Sequence, residues 1–265
     1  MLRKMVRLRS DLNTNETKDT NMENKPAPVN TNRRIYPPLA GANYLVGLRA
    51  LHAAVKPDTY FEIGSFTGHS LILSKCRTMA VDPDFKLTAG SIAGKKELHL
   101  FGMTSDDFFA AGHLGKVFSS LDMAFLDGMH LFEFLLRDFM NTEKHCTKES
   151  VVVMHDCIPM NPAASERHWN KEVTMAWTGD VWKLVPILKK YRPDLDIMVL
   201  DYPPSGLTVV QGLDPNNTVL DEHYDEIVKD FMDETIDSFG RDELYEILDV
   251  QLSDETDLFE KLAQR

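Results

Sequence analysis

The stretch Phe61-Glu62-Ile63-Gly64-Ser65-Phe66-Thr67-Gly68-His69-Ser70 decides how this chain folds. A short apolar run ends here, and two glycines separated by three residues follow it at once. Glycines at a strand end let the backbone turn tightly and approach a ligand, and free amides at the start of a following helix favour an anion. The stretch therefore predicts a ligand-binding turn between a strand and a helix, with an ordinary connecting turn as the alternative. Its spacing matches neither the dinucleotide fingerprint nor the P-loop.

Short apolar runs around this turn predict a parallel sheet. Four to six residues is strand length, and the segments between the first five runs are long enough for crossover helices such as Leu131 to Lys144. Only six residues separate the last two runs, so we expect that pair to be antiparallel. The predicted strands are Thr59–Ile63, Thr78–Val81, Glu97–Phe101, Leu121–Leu126, Val151–Met154, Ile197–Leu200 and Leu207–Gln211. The predicted fold class is α/β, a Rossmann-like doubly wound sheet of five parallel strands and a terminal antiparallel hairpin.

The two ends of the chain differ from its centre in charge. Residues 1–34 are polar and hold eight Lys/Arg against four Asp/Glu, so we expect a mobile basic arm. Residues 35–213 hold the predicted strands. Residues 214–265 hold four Lys/Arg against 17 Asp/Glu in a helical pattern. These amphipathic helices must bury one face on the body of the domain, on a second subunit in a homo-oligomer, or on a dedicated partner.

Composition excludes several classes of function. The chain has 265 residues, a net charge of −12 and 43% hydrophobic residues, as expected of a globular protein. An acidic protein repels phosphate backbones, which argues against nucleic-acid binding, and no apolar window suggests a membrane span or a secretory signal. Cys76, Cys146 and Cys157 form no C-x-x-C pair, which fits a reducing compartment. We therefore expect a cytoplasmic protein with a small-molecule substrate.

An acidic residue at the end of the second predicted strand strengthens the ligand-binding interpretation. Asp82 stands twenty residues after Glu62, where a carboxylate can accept hydrogen bonds from both hydroxyls of a ribose. A turn residue before Pro83 is the alternative interpretation. Together, the acidic-x-Gly-x-x-x-Gly turn and Asp82 resemble the first two motifs of the class I S-adenosylmethionine-dependent methyltransferases.

This resemblance implies three groups of cofactor-binding residues: one around the methionine part, one at the ribose and one near the adenine. They are, in that order, Glu62, Gly64, Ser65, Gly68, His69 and Ser70; Asp82; and Met103, Thr104 and Ser105. Residues 35–213 would then form the S-adenosylmethionine-binding domain.

Three further motifs narrow the resemblance to one branch of that superfamily, which reads F-[IL]-D-G-x-H, [LV]-R-D-[FL] and a strand ending in H-D. The matching stretches are Phe125-Leu126-Asp127-Gly128-Met129-His130, Leu136-Arg137-Asp138-Phe139 and Val151-Val152-Val153-Met154-His155-Asp156-Cys157. The resemblance covers about residues 57–211. The usual Gly-Gly before the fifth strand is replaced by Lys148-Glu149-Ser150, which we expect to lie in a turn.

Four polar residues follow the fourth and fifth predicted strands: Asp127, His130, His155 and Asp156. Ligands in open α/β sheets bind beyond the carboxyl ends of the strands, so these side chains can converge to bind a divalent cation or to act as a general base. The resemblance to magnesium-dependent oxygen methyltransferases implies Asp127, His155 and Asp156 as metal ligands, and we name Asp127, His130 and His155 as catalytic candidates. Alternatively, Asp127 contacts the cofactor edge or caps a helix, and His155 is a buried, satisfied histidine.

The irregular segment between Cys157 and Val181 contains Trp169 and Trp177. Long irregular segments at the ligand edge of a sheet are usually functional, so we expect a lid with aromatic substrate contacts. A surface loop whose tryptophans pack inward is the alternative.

The sequence as a whole predicts an S-adenosylmethionine-dependent methyltransferase that acts on a hydroxyl of a small molecule or sugar, with Mg²⁺ as a candidate second cofactor. Two other functions stay open at this point. One is another Rossmann-type enzyme that binds NAD or a nucleotide. The other is a non-catalytic cofactor-binding scaffold that acts through its acidic helices.

Overall fold

A seven-stranded sheet with the order β3-β2-β1-β4-β5-β7-β6 forms the centre of the computed structural model, which describes residues 39–264. Neighbouring strands from β3 to β5 are parallel, and β7 is antiparallel to both β5 and β6. The strands are β1 (Thr59–Ile63), β2 (Arg77–Val81), β3 (Glu97–Phe101), β4 (Leu121–Leu126), β5 (Cys146–His155), β6 (Asp196–Leu200) and β7 (Leu207–Gln211). The predicted fold class is confirmed. The predicted arm, residues 1–34, lies outside the described residues.

Helices cover both faces of the sheet. They are α1 (Tyr44–Val55), α2 (Ala89–Ile92), α3 (Ser105–Ala110), α4 (His113–Val117), α5 (Phe132–Glu143), α6 (Leu184–Tyr191), α7 (Val219–Phe231), α8 (Ile236–Phe239), α9 (Arg241–Leu248) and α10 (Leu258–Ala263). Successive strand residues face opposite sides, so Phe61 joins the apolar core around α5 while Tyr60 joins the core around α1. The sheet is therefore buried on both faces, as its continuous apolar strands require.

The connection between β1 and β2 lacks the α-helix that the sequence led us to expect. Only a 3₁₀ turn, Leu71–Leu73, follows Gly68. Thirteen residues separate the two strands, and the glycine turn uses the first of them, so too few remain for a crossover α-helix. Instead, the Lys95 ammonium donates to the carbonyl oxygens of Leu71 and Ser74, at 2.7 and 3.1 Å. The prediction of an α-helix directly after Gly68 is thus wrong, while the predicted ligand-binding role of the turn stays a prediction.

Strand β5 is longer than its apolar run. It begins at Cys146 and includes Lys148-Glu149-Ser150, which we expected in a turn. The β4–β5 pairing shifts register between Leu121 and Met123, and the Ser150 hydroxyl bridges this irregularity by donating to the Leu121 carbonyl. A bulge therefore takes the place of the expected turn.

The acidic C-terminal helices bury their apolar faces on the body of the domain. Ile227 of α7 and Leu244 of α9 belong to the core around α5, and Leu258 and Leu262 of α10 join the core around α1. All described residues belong to one compact unit. The separate extension at 214–265 and its role in a homo-oligomer stay predictions. Within residues 39–264, each helix is too short or too polar to cross a bilayer.

Candidate functional site

The glycine turn joins the ends of two neighbouring strands. Gly64 and Gly68 have φ values of 85° and 76°, a region that residues with a side chain rarely adopt. A Cβ atom on Gly64 would lie 1.9 Å from the carbonyl oxygen of Asp127, so the backbones at the ends of β1 and β4 touch there. Position 64 thus requires glycine, because the backbone has a positive φ there and the Asp127 carbonyl leaves no space for a side chain.

Glu62 holds this turn from inside. It is fully buried, and its carboxylate accepts hydrogen bonds from the hydroxyls of Ser65 (2.7 Å), Ser70 (2.8 Å) and Tyr60 (2.6 Å). Burial raises the pKa of Glu62, and these three hydrogen bonds oppose that rise. Three members of the predicted methionine-binding group therefore form one internal network, whereas His69 is exposed beside Thr67.

Asp82, at the end of β2, accepts hydrogen bonds at both of its carboxylate oxygens. One carboxylate oxygen accepts from the amide of Phe66 and the other from the amide of Asp84, both at 2.7 Å. Each carboxylate oxygen can accept about two hydrogen bonds, so both keep capacity for a hydroxyl. Phe66 itself is 54% exposed at a φ of 39°, which places an aromatic ring at the rim of the turn. The ribose-binding role of Asp82 stays a prediction.

The predicted adenine side lies between β3 and α3. The Thr104 side chain accepts from the Asp107 amide and begins α3, so Met103, Thr104 and Ser105 line the end of β3. Nearby, Asp138 of α5 is only 2% exposed, which is unusual for a carboxylate. It lies beside Gly128, which leaves room for its carboxyl group. Burial raises the pKa of Asp138 to about 7, against a hydrogen bond from Ser105.

Asp127, His130 and Asp156 converge at the ends of β4 and β5. The three offer ligand atoms that all lie within 4.8 Å of one another, and they form the candidate metal group of the described chain. His130 Nε2 lies 3.5 Å from Asp127 Oδ1 and 3.4 Å from Asp156 Oδ2. Two carboxylates and an imidazole can bind a divalent cation. The sequence prediction of these ligands named His155 where this group contains His130.

Backbone contacts orient His130. Its Nδ1 lies 2.8 Å from the carbonyl oxygen of Trp177, which can only accept, so Nδ1 carries the hydrogen. In the neutral ring, Nε2 is then the basic atom, and it faces the two carboxylates. A Cβ atom on Gly179 (φ 58°) would lie 1.6 Å from the His130 carbonyl oxygen, so the segment after β5 packs directly against this residue.

His155 lies on the α1 side of the cluster. Its Nδ1 is 3.3 Å from Asp127 Oδ1 and 3.3 Å from Asp156 Oδ1. Its Nε2 is buried and has no hydrogen-bond partner among residues 39–264, so the alternative of a satisfied buried histidine does not describe it. The Tyr44 ring packs against the imidazole with centroids 4.2 Å apart. Burial and the charges of Asp127 and Asp156 raise the pKa of Tyr44, so its phenol stays protonated.

The four clustered side chains determine each other's charge. Burial disfavours the charged form of either histidine, but Asp127 and Asp156 outweigh it and raise the pKa of both His130 and His155 to about 9. Burial likewise opposes ionisation of Asp127, and the two histidines hold the pKa of Asp127 well below its usual range. The two histidines and the carboxylates thus favour each other's charged forms.

Sequence reasoning missed two contributors to this cluster. Tyr44 stands 83 residues before Asp127 on a helix whose apolar spacing gave no sign of a polar role. Ser205, in the connection from β6 to β7, donates its hydroxyl hydrogen to Asp156 Oδ1. Asp156 itself has a φ of 63°, a strained value for a residue with a side chain, and strain of this kind occurs at functional sites.

The segment between β5 and α6 covers the cluster from one side. The Trp177 ring lies 5.5 Å from the His130 ring and stacks on Trp169, with centroids 6.0 Å apart. Arg167 anchors the segment, because its guanidinium pairs with Glu133 of α5 at 2.7 Å and with Asp180 at 2.6 Å. Trp169 is 41% exposed, so the two stacked rings border the site and do not fill the core.

Comparison with known proteins agrees with this geometry. Residues 61–157, from the glycine turn to the end of β5, match a family model described as a methyltransferase domain. A search of curated proteins finds no sequence that matches the chain.

Several solved structures are similar to the chain. The SAH-bound methyltransferase PaMTH1 from Podospora anserina is 13% identical, with a TM-score of 0.46 over 64% of this chain and 78% of that chain. The SAM-bound O-methyltransferase TomG from Streptomyces achromogenes is 16% identical, with a TM-score of 0.47 over 64% and 80%. An SAH-bound O-methyltransferase from Bacillus cereus is 12% identical, with a TM-score of 0.43 over 63% and 80%.

The family model covers the part of the sheet that holds the glycine turn and the clustered side chains. The matched residues contain the glycine turn, Asp82 and the Asp127 cluster, and the sheet order places all three at the carboxyl ends of its strands. Residues 61–157 are therefore similar to a methyltransferase domain, and the sheet around them has the Rossmann-like α/β fold that the sequence predicted.

Proposed function

We propose that the protein transfers the methyl group of S-adenosylmethionine to a hydroxyl oxygen of a small molecule or sugar, at a divalent cation held by Asp127, His130 and Asp156. The carrying observation is the convergence of these three ligand groups directly beside Gly64. The Asp127 backbone touches the cofactor turn while its carboxylate faces the ligand group. One residue thus joins the methyl donor's site to the acceptor's site.

A hydroxyl needs activation before it can attack a methyl group. When bound, S-adenosylmethionine supplies an electrophilic methyl group, and positioning both reactants contributes about 7 to 11 kcal/mol. A protonated hydroxyl is a poor nucleophile, so the site must either lower the hydroxyl's pKa with a cation or remove its proton with a base. Asp127 and Asp156 supply the negative charge that a cation needs, and Mg²⁺ is the cation that oxygen ligands favour. The imidazole is the unusual ligand for Mg²⁺ in this set.

Each remaining residue has a definite task in this proposal. His155 Nδ1 donates to the Asp127 carboxylate and lies 3.3 Å from Asp156 Oδ1, so it orients both carboxylates, and we keep it as a catalytic candidate. Trp177 fixes the tautomer of His130, and its ring borders the substrate space. Glu62, Gly64, Ser65, Gly68, His69 and Ser70 are the proposed methionine-side residues, with Asp82 at the ribose and Met103, Thr104 and Ser105 near the adenine.

A metal-free version of the same reaction uses histidine as the general base. His130 Nε2 and His155 both lie beside carboxylates that raise their pKa to about 9, so at neutral pH both carry protons. A base must be deprotonated to act, and these raised pKa values would delay its action to alkaline pH. The positions of the two histidines permit this metal-free version, whereas the negative charge of Asp127 and Asp156 favours the version with a bound cation.

Product analysis tests the proposed acceptor atom. Purified protein is supplied with methyl-labelled S-adenosylmethionine, Mg²⁺ and a panel of phenols, catechols, free sugars and glycosides, and the products are identified by NMR. We expect a methyl ether on at least one hydroxyl compound. Methylated nitrogen as the sole product would contradict the proposal, and calorimetry that shows binding of NAD but not S-adenosylhomocysteine would contradict the cofactor.

The stability of the protein without metal should depend on pH. Because the pKa of His130 and His155 is raised from 6.5 to about 9, their protonation stabilises the folded state below pH 6.5, and this contribution is lost as pH rises through about 9. We expect Tm without metal to fall over this range. Mg²⁺ binds where these protons leave, so its stabilising effect should be larger at pH 9 than at pH 6.5.

Scanning fluorimetry across this pH range, with and without Mg²⁺, measures both effects. His130→Gln and His155→Gln should each flatten the dependence, while His168→Gln, at an exposed histidine outside the cluster, serves as the control. A Mg²⁺ effect that decreases towards alkaline pH would contradict the proposed ligand set.

We also propose a cytoplasmic location, a preference for small molecules over nucleic acid, and association through the C-terminal helices. The described cysteines Cys76, Cys146 and Cys157 are all free and buried, which supports a reducing compartment. Sedimentation of the purified chain tests association. A monomer at all concentrations would contradict that part.

A further inference from the structure

A second concave region lies at the amino ends of the strands, opposite the proposed methyl-transfer site at their carboxyl ends. This groove has a volume of about 420 Å³ and is bordered by the residues that precede β1, β2 and β3, together with one face of α1. Asp58, Cys76 and Lys96 stand directly before those three strands. The cofactor turn follows the other end of β1, so the two regions are separated by the length of the strands. A groove of this size is in the range that holds a small ligand.

The groove is strongly basic on an acidic protein. Arg49, Lys56, Lys75 and Lys96 line it, and Asp58 is the one carboxylate among its lining residues. Asp58 pairs with Lys96 at 3.2 Å, and the chain as a whole has a net charge of −12. The cationic side chains come from three separate segments of the chain. The fold therefore brings these cationic side chains together, and a local stretch of the sequence does not predict the cluster.

Arg49 differs from the other arginines in this part of the molecule. Among residues 39–264, every other arginine forms an ion pair with a carboxylate, whereas Arg49 has no such partner there. The side-chain ammonium groups of Lys56 and Lys75 likewise have no ion-pair or hydrogen-bond partner among residues 39–264. Three cations in one groove thus retain their full capacity to bind an anion.

Repulsion between cations extends below the floor of the groove. Burial and the charge of Lys75 lower the pKa of Lys95, and burial and the charge of Lys95 lower the pKa of His52 to about 4. His52 lines the groove, and its Nε2 is buried without a hydrogen-bond partner among residues 39–264. Like charges held close together, with Asp58 as the one carboxylate lining the groove, favour the binding of an anion.

Helix capping explains only one of these cations. Lys56 follows the last residue of α1, where a positive charge interacts favourably with the helix dipole. Its φ of 48° and ψ of 55° are the left-handed values that glycine usually adopts at this position. The dipole does not account for Lys75 or Lys96, which lie on other connections. Lys56 thus occupies a position at which glycine would be the less strained residue.

We propose that this groove binds a small anion with adjacent phosphate groups, of the diphosphate class. Lysine ammonium groups bind phosphate oxygens as point charges, and an unpaired guanidinium can form two parallel hydrogen bonds to one phosphate. A diphosphate carries enough negative charge to neutralise the three unpaired cations together. The small volume and the acidic surroundings select a compact anion over a nucleic-acid backbone.

Calorimetry with inorganic pyrophosphate at low ionic strength, on the full chain, tests this proposal. We expect saturable binding that weakens as salt is added, and roughly tenfold weaker binding for each of Arg49→Gln and Lys75→Gln, the order expected for one charge-assisted hydrogen bond. Lys56→Gly is the sharpest variant, because it removes a charge while relieving a strained backbone. It should lose affinity without losing thermal stability.

A matched control removes the same charge elsewhere. Lys229 of α7 is exposed and lies outside the groove, so Lys229→Gln should bind pyrophosphate as the wild type does. Affinity for S-adenosylhomocysteine should be unchanged in every variant, which verifies folding. Absence of binding at millimolar pyrophosphate, or equal weakening by Lys229→Gln, would overturn the proposal. Salt-sensitive self-association that Arg49→Gln abolishes would also overturn it, by assigning the groove to the acidic helices of a second copy.

Discussion

Gly64→Ala should abolish binding of S-adenosylhomocysteine, with an affinity loss of about 100-fold or more that reflects backbone displacement at a strained position. An alanine Cβ would lie 1.9 Å from the Asp127 carbonyl oxygen, and the glycine φ of 85° disfavours any side chain. Both the end of β1 and the end of β4 would have to move. Since Asp127 also belongs to the proposed cation site, methyl transfer should be lost together with cofactor binding. Calorimetry measures the first effect and a labelled-methyl assay the second.

Two further variants separate this effect from general misfolding. Gly90→Ala places its Cβ 3.6 Å from its nearest neighbour, an ordinary contact, and should leave cofactor binding intact. Asp82→Asn preserves the shape of the turn but weakens the acceptor for the ribose, so it should reduce affinity in a normally folded protein. If Gly64→Ala folds and binds S-adenosylhomocysteine as the wild type does, the proposed cofactor site is in the wrong place.

Loss of either carboxylate in the cluster should stop the chemistry while the cofactor still binds. We expect Asp127→Asn and Asp156→Asn each to lower turnover by about 10²- to 10⁴-fold, the usual contribution of activating the attacking group. The substitutions keep the side-chain shape, so the Gly64 contact with the Asp127 backbone is retained. A chelator should abolish wild-type turnover and leave S-adenosylhomocysteine affinity unchanged. Rate measurements with and without chelator, at saturating cofactor, provide the comparison.

The same experiment distinguishes the two versions of the mechanism. If a cation acts, His130→Gln should lose activity and raise the Mg²⁺ concentration needed for half-maximal rate, because His130 belongs to the ligand group. If a histidine acts alone, chelation should have no effect, and turnover should rise towards the raised pKa of about 9. Asp221→Asn, at an exposed surface pair, is the control. Near-normal turnover in all cluster variants would leave catalysis to proximity and exclude both versions.

The sequence by itself determined the sheet, the order of its motifs and the edge at which they meet. Apolar runs of strand length report burial on both faces, and this local property survives in the fold. The carboxyl ends of parallel strands lie at one edge of the sheet. Because Glu62, Asp82 and Asp127 each stand at the end of a predicted strand, the sequence was enough to place them at that edge. Four of the five predicted parallel strands begin and end within one residue of the observed strand bounds. The fifth, β5, extends beyond its apolar run into a bulge.

Only the tertiary structure decided which side chains meet. His155 continues the alternation of Val151 and Val153 and therefore turns towards α1 and Tyr44, whereas His130, from the segment after β4, enters the ligand group. The missing helix after Gly68 and the basic groove depend on how the short connections between strands pack against α1. Contacts of this kind join residues that are far apart in the chain. The packing of the whole domain sets the direction of each side chain and the distance between them, so a local sequence pattern does not predict such contacts.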